Sequence, residues 1–183
     1  NVRVLVDAEE SWIQNAIDEI VLSMMMKYNK EKAVVFNTSQ MYRHDRLNYL
    51  KTLHDKALKN NFFVGIKLVR GAYIEKENKR ARRNNYLSPI CSSKELTDKN
   101  FNNGVSYILS NLDRISLFSG THNEESIYKI INIMDSKNIN RDDPKIWFGQ
   151  LYGMSDNITF NLASEGFNVI KYLPSVSYTH LRA

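Results

Sequence analysis

Apolar and polar residues follow one another along this chain in blocks that switch between two periods. Val2-Arg3-Val4-Leu5-Val6-Asp7 is a short β run closed by a carboxylate. From about Glu9 to Lys27 the period lengthens, and Ile13, Ile17, Ile20, Val21 and Met24 fall on one helical stripe, the face expected to be buried. Ala33 to Asn37 predicts the next strand, and Leu47, Leu50, Leu53 and Ala57 mark a second helix. Phe62 to Leu68, with β-branched Val64 and Ile66, reads as a buried strand. A charged helix follows to about Arg83. Asn84 to Leu96 contains Pro89 and reads as a loop, after which Thr97-Asp98 opens a helix through about Ser110. Ile115 to Phe118 predicts a strand ending in Gly120-Thr121-His122-Asn123. Asn123 can cap the next helix, whose stripe is Ile127, Ile130, Ile131 and Met134. Lys145 to Gln150 is a strand, Ser155 to Glu165 a helix closed by Gly166, and Phe167 to Leu173 a last strand.

Strands that alternate with helices, with no hairpin signals between them, imply parallel β/α units joined by right-handed crossovers. Six units could form an open doubly wound sheet or most of an eight-fold barrel, and periodicity does not separate the two. The strand ends favour the barrel. Asp7, Asn37, Lys67 with Arg70, His122 with Asn123, Gln150 and Tyr172 all fall at or near C-terminal strand ends. Polar groups converging from so many strands suit a barrel mouth better than one crevice.

Lys67 is the most informative of these residues, because a cation inside an apolar strand is almost never buried without a partner. Asp7 is its natural counter-ion, although Asp7 also suits a helix cap. Arg70-Gly71-Ala72-Tyr73 offers a guanidinium and exposed backbone N–H groups to a phosphate or an electron-rich ring, although a simple turn also fits. Thr121-His122-Asn123 places three hydrogen-bonding side chains at one strand end. Tyr152 and Tyr172 could line a pocket or cover the rim of the core, and Trp12 and Trp147 read as packing. The histidines at 44, 54, 122 and 180 show no metal-ligand spacing, and no G-x-S-x-G nucleophile motif occurs.

Bulk properties narrow the picture further. No apolar run approaches the about 20 residues that cross a bilayer as a helix. The single Cys91 excludes a disulfide within the chain and points to a reducing compartment. The net charge of +5 is modest. Its densest cluster, Lys76, Lys79, Arg80, Arg82 and Arg83, reads as a solvated helix face, with anionic lipid or nucleic acid as the alternative. Two competing classes follow: a basic domain binding nucleic acid or membrane through residues 76–83, and a metal-independent barrel enzyme holding a phosphorylated substrate at Arg70-Gly71.

Five stretches together resemble the proline dehydrogenase family: VDAEESWIQNAID (6–18), KYNKEKAVVFNTSQMYRHDRL (27–47), GIKLVRGAYIEKE (65–77), THNEES (121–126) and WFGQLYGMSDNITFNLASEGFNVIKYLP (147–174). They occur in family order up to Pro174 and look most like the short, single-function members. The resemblance implies an α/β fold, a (β/α)8 TIM-like barrel incomplete here at about six β/α units, that holds FAD. It implies oxidation of L-proline to Δ1-pyrroline-5-carboxylate, with electrons passed to a membrane quinone and no nucleic-acid partner. It leaves proline and hydroxyproline open. By matching motifs, Lys67 would lie near the flavin's reactive edge, where some relatives carry Arg, and Asp7 would join the ion pairs under the substrate. Val69, Arg70, Gly71 and Ala72 would contact FAD, as would Gln150. Thr121, His122 and Asn123 would reach its ribityl, phosphate or adenine side, and Asn37 its pyrimidine edge. Tyr73, Leu151 and Tyr172 would shape the proline pocket, and Ile74 stands where some relatives stack Trp on the cofactor.

The family pattern also includes two earlier strands and a final R-R-x-x-E-N helix that clamps the substrate carboxylate. The chain is therefore expected to be a partial barrel over 1–174, little active by itself. Residues 175–183 resemble translated sequencing adaptor and are expected to be a non-native tail. The resemblance implies a cytoplasmic enzyme, peripheral at the inner membrane, in a bacterium, or one of the mitochondrial inner membrane in a eukaryote.

Overall fold

A computed structural model describes residues 2–173. The expected foreign tail, 175–183, lies outside the described residues. In chain order the elements are β1 (Val4–Val6), α1 (Ser11–Tyr28), β2 (Val35–Gln40), α2 (Arg46–Asn60), β3 (Val64–Val69), α3 (Ile74–Arg83), α4 (Lys94–Leu109), β4 (Ile115–Gly120), α5 (Glu124–Ser136), β5 (Ile146–Leu151), α6 (Asp156–Ser164) and β6 (Val169–Tyr172). The strands pair in parallel in the order β1-β2-β3-β4-β5-β6 and curl into a half-barrel. Of the two sheet arrangements that periodicity left open, the barrel is the one formed.

Alternation along each strand divides the side chains between two cores. Ile66 and Leu68 of β3, Leu117 of β4 and Phe148 of β5 point outward and pack with Leu50, Leu53, Phe101, Val105, Ile130 and Met134 from the helices. The concave side is filled below the mouth by Phe36 and Phe118 with Leu5, Phe63 and Trp147. Glycines make room for these rings. A Cβ on Gly149 would fall 2.3 Å from the Phe118 ring, and one on Gly65 would fall 2.5 Å from the Val35 carbonyl oxygen.

The stripe expected for α1 is buried only in part: Val21 is buried and Ile17 packs partly buried against the core, but the buried face is shifted toward Gln14, Asp18 and Met25. Ile20 is 60% exposed, and Ile13 and Met24 are each 43% exposed. A closed polar network turns the helix. Asp18 accepts hydrogen bonds from Gln14 at 2.8 Å, from Asn37 at 2.8 Å and from Arg46 at 2.7 Å. A buried carboxylate satisfied three times over is tolerated inside, and the helix orients to keep it there. Of the exposed apolar residues, Ile20 and Met24 border an open groove with Val4, Val6 and Val35 beside the β1 edge. Helix α4 also starts earlier than the pattern predicts, because the Ser93 hydroxyl accepts from the Leu96 N–H at 3.2 Å and caps it.

Gly65→Ala is expected to destabilise the fold by about 1–3 kcal/mol through overpacking against β2. Urea unfolding of the variant beside the parent measures this.

Candidate active site at the mouth of the half-barrel

The C-terminal ends of the strands surround a cavity of about 690 Å³, within the range of small-molecule and cofactor sites. Asp7, Lys67, Val69, Arg70, Gly71, Ala72, Tyr73, Thr121, His122, Asn123, Gln150, Leu151 and Tyr172 all line it. Asn37 does not, which corrects its expected place at the cofactor. Asn37 lies on the outward phase of β2, is fully buried, and donates to Asp18 and, at 2.8 Å, to the Tyr49 hydroxyl. The amide that β2 does present to the mouth is Gln40, three residues on and in the opposite phase. Sequence reasoning missed it, although counting by twos from Thr38 would have found it. Tyr152 also stands apart, 67% exposed and outside the cavity lining.

At the floor, Lys67 Nζ donates to Asp7 at 2.5 Å, and the Tyr172 hydroxyl donates to the other Asp7 oxygen at 2.8 Å. The Tyr172 ring covers the ammonium, 4.8 Å from its centroid. Burial pulls the Asp7 carboxyl upward, but the hydrogen bonds from Lys67 and Tyr172 and the Lys67 charge outweigh it. Its pKa therefore lies below the usual carboxylate value. Of the two roles open to Asp7, the structure adopts the counter-ion.

Arg70 lies in the wall with its donors turned into the scaffold. Nε reaches Asp98 at 2.6 Å, one terminal nitrogen reaches the Thr121 hydroxyl at 2.7 Å and the other Ser126 at 3.0 Å. It ties α4, the β4 end and α5 together. Gly71 (φ 135°) turns the chain tightly over the buried Tyr42 ring, where a Cβ would fall 2.5 Å from ring carbon. Gln150 accepts from Thr159 at 2.8 Å and donates to the Thr121 carbonyl at 3.2 Å. Asn123 caps α5 by accepting from the Ser126 N–H at 2.8 Å, as its position in the sequence predicts. His122 hydrogen bonds to the Ser155 hydroxyl at 2.9 Å. Burial, and then the nearby Lys171 charge, hold its pKa below the ordinary imidazole value. Tyr73 donates to Glu9 at 2.8 Å, and this bond with burial pushes its phenol up to about 12. Lys76 pairs with Glu10, and Arg80 stacks on Trp12 at 4.4 Å, so part of the basic 76–83 cluster is engaged against α1.

The whole chain, residues 1–183, matches the family model described as proline dehydrogenase. The chain belongs to the proline dehydrogenase family. It is 43% identical over 173 residues to the carbapenem antibiotics biosynthesis protein CarD of Pectobacterium carotovorum subsp. carotovorum, covering 94% of this chain and 44% of that protein. It is 38% identical over 184 residues to the mitochondrial proline dehydrogenase 1 of Drosophila melanogaster, covering 95% of this chain and 27% of that one. The chain thus spans less than half the length of these relatives. In fold it is similar to proline utilization A (PutA) from Bdellovibrio bacteriovorus, a structure inactivated by N-propargylglycine. The TM-score is 0.89 at 23% identity, over 97% of this chain and 18% of that one. The half-barrel is therefore an incomplete TIM-like barrel of the proline dehydrogenase type.

Two outcomes follow for this site. His122 is expected to titrate below the ordinary value of about 6.5, staying neutral at pH 7 and binding its proton only as the pH falls further. Histidine NMR checks this. Gly71→Ala, strained at that φ and driven into Tyr42, is expected to reshape the 70–73 turn and to lower melting temperature, as read by calorimetry.

Proposed function

We propose that the protein containing this chain oxidises L-proline to Δ1-pyrroline-5-carboxylate with bound FAD and passes the electrons to a membrane quinone. The observation that carries this reading is the paired cation in the cavity floor: Lys67 held by Asp7 beneath a space of cofactor size. The donor set fits the flavin. A fixed ammonium suits the electron-rich edge of the isoalloxazine, and the tight turn at Gly71-Ala72 brings backbone to the cavity wall, where a planar ring can lie against it. Neutral His122, with Thr121 and Asn123 at the start of α5, suits polar cofactor atoms further along. When bound, the flavin supplies the acceptor for the hydride that leaves the substrate ring.

The residues of this chain bind and orient. Lys67 presents positive charge where negative charge grows during oxidation, and Asp7 keeps that ammonium aimed. The depressed Asp7 carboxyl stays anionic at neutral pH and can receive the substrate's ammonium as well. Tyr73 and Tyr172, both with raised pKa, remain phenols at neutral pH and act as walls and hydrogen-bond donors. Leu151 offers apolar surface to the pyrrolidine ring. Substrate carboxylate recognition finds only part of what it needs here: Arg70, the one guanidinium lining the cavity among the described residues, has three of its five N–H donors bound to Asp98, Thr121 and Ser126. The 183 residues alone are therefore expected to turn over little proline. The reading also places the enzyme at a membrane surface, at the mitochondrial inner membrane in a eukaryote or peripheral to the inner membrane in a bacterium, without nucleic acid as a partner.

A flavin absorbance that copurifies with the protein and bleaches on adding proline supports the reading, and the same assay with hydroxyproline decides between the two substrates. Lys67→Met is expected to keep the flavin while lowering turnover roughly 10²–10³-fold, the size of losing one preorganised electrostatic contact. Unchanged turnover would contradict the role given to Lys67.

A further inference from the structure

One buried carboxylate near the site has no part in the reaction just described. Glu77, on α3, is fully buried and does not line the cavity. Its two oxygens accept from Ser11, one from the backbone N–H at 2.5 Å and the other from the hydroxyl at 2.7 Å. Ser11 is the first residue of α1, whose N-cap residue Glu10 makes no side-chain cap bond and whose first turn holds no acidic residue. Helix α1 is thus capped from outside by a carboxylate of α3. A buried anion is tolerated there because it meets two donors and the positive end of the helix.

We propose that Glu77 is a positioning residue: by clamping the first turn of α1 it fixes the loop that carries Asp7, and so holds Asp7 against Lys67. Only Ala8, Glu9 and Glu10 separate Asp7 from the clamped Ser11. Asp7 itself directly follows an edge strand of three residues and is about half exposed, so β1 alone holds it weakly. The same loop is braced toward β2 and β3. Gln40 donates to the Glu9 carbonyl at 2.7 Å and accepts from the Ala72 N–H at 3.2 Å. Tyr73 reaches Glu9, and Lys76 pairs with Glu10. Helix α3 begins directly after the Gly71-Ala72-Tyr73 turn, so Glu77 locks the β1–α1 loop to a second segment that lines the cavity.

This inference rests on the proposed proline oxidation for its kinetic readout, while its structural readout does not depend on it. The test compares Glu77→Gln, which keeps shape but exchanges one acceptor oxygen for an amide, with Ser11→Ala, which removes only the hydroxyl leg. Both are made in the full-length protein. Hydrogen exchange over residues 7–12 is expected to quicken roughly tenfold in Glu77→Gln while exchange in β3 and β4 stays unchanged. The kcat for proline is expected to fall roughly tenfold at unchanged flavin content, as for a slightly misplaced catalytic group. Ser11→Ala should give smaller changes in both. Unchanged exchange over 7–12, equal quickening through β3 and β4, or quickened exchange with an unchanged kcat overturns the proposal. Quickened exchange confined to 7–12 in a protein that never oxidises proline supports the clamp and overturns the assigned reaction instead.

Discussion

A lysine on an inner strand of a parallel sheet must find a counter-charge, and this need organises the mouth of the barrel. Lys67 is 9% exposed, with apolar residues on either side of it along β3. Its partner cannot come from β2, where Thr38 stands in register with it. It comes from one strand further, at the end of β1, and Tyr172 reaches the same carboxylate from β6 at the opposite edge. The ion pair therefore links the first and third strands across the concave face, and the Tyr172 hydrogen bond ties in the sixth. Burying an ammonium without such a partner would cost several kcal/mol.

Around this pair, polar side chains at the strand ends divide into two kinds. Some keep atoms free toward the cavity. Others, including Arg70, Gln40 and Gln150, spend their hydrogen-bonding capacity on neighbouring loops and hold the first kind in place. Arg70 is the clearest case, since a residue that reads as a ligand-binding guanidinium lines the cavity and at the same time braces α4, the β4 end and α5. A site assembled from loops needs such brackets, because loop backbone lacks the sheet's ladder of bonds to fix it.

Much of this was legible in the chain itself. Switches between periods of two and of about 3.6 gave six strands and their helices, and the polar residue closing each strand pointed to the mouth. Burial and charge made Asp7 the natural counter-ion of Lys67, with a helix cap as the alternative. Strand phase was harder. Asn37 and Gln40 are both amides near the end of β2, but the strand runs three residues further than its apolar run suggests, so Gln40 is the one at the mouth, while Asn37, between inward-facing Phe36 and Thr38, is on the outer face. The buried face of α1 was hidden for a related reason: a stripe counts apolar residues, whereas Asp18 is buried by partners on other elements. Glu77 gave no signal at all, since its partner Ser11 lies 66 positions away.

The central claim is that Asp7 and Lys67 act as one unit. A double-mutant cycle with Asp7→Asn, Lys67→Met and the combined variant, read in the rate of flavin reduction by proline, tests it most directly. The account predicts that the double variant is barely worse than the poorer single one, a coupling of about 1–3 kcal/mol. Effects that simply add would show two independent residues and contradict it.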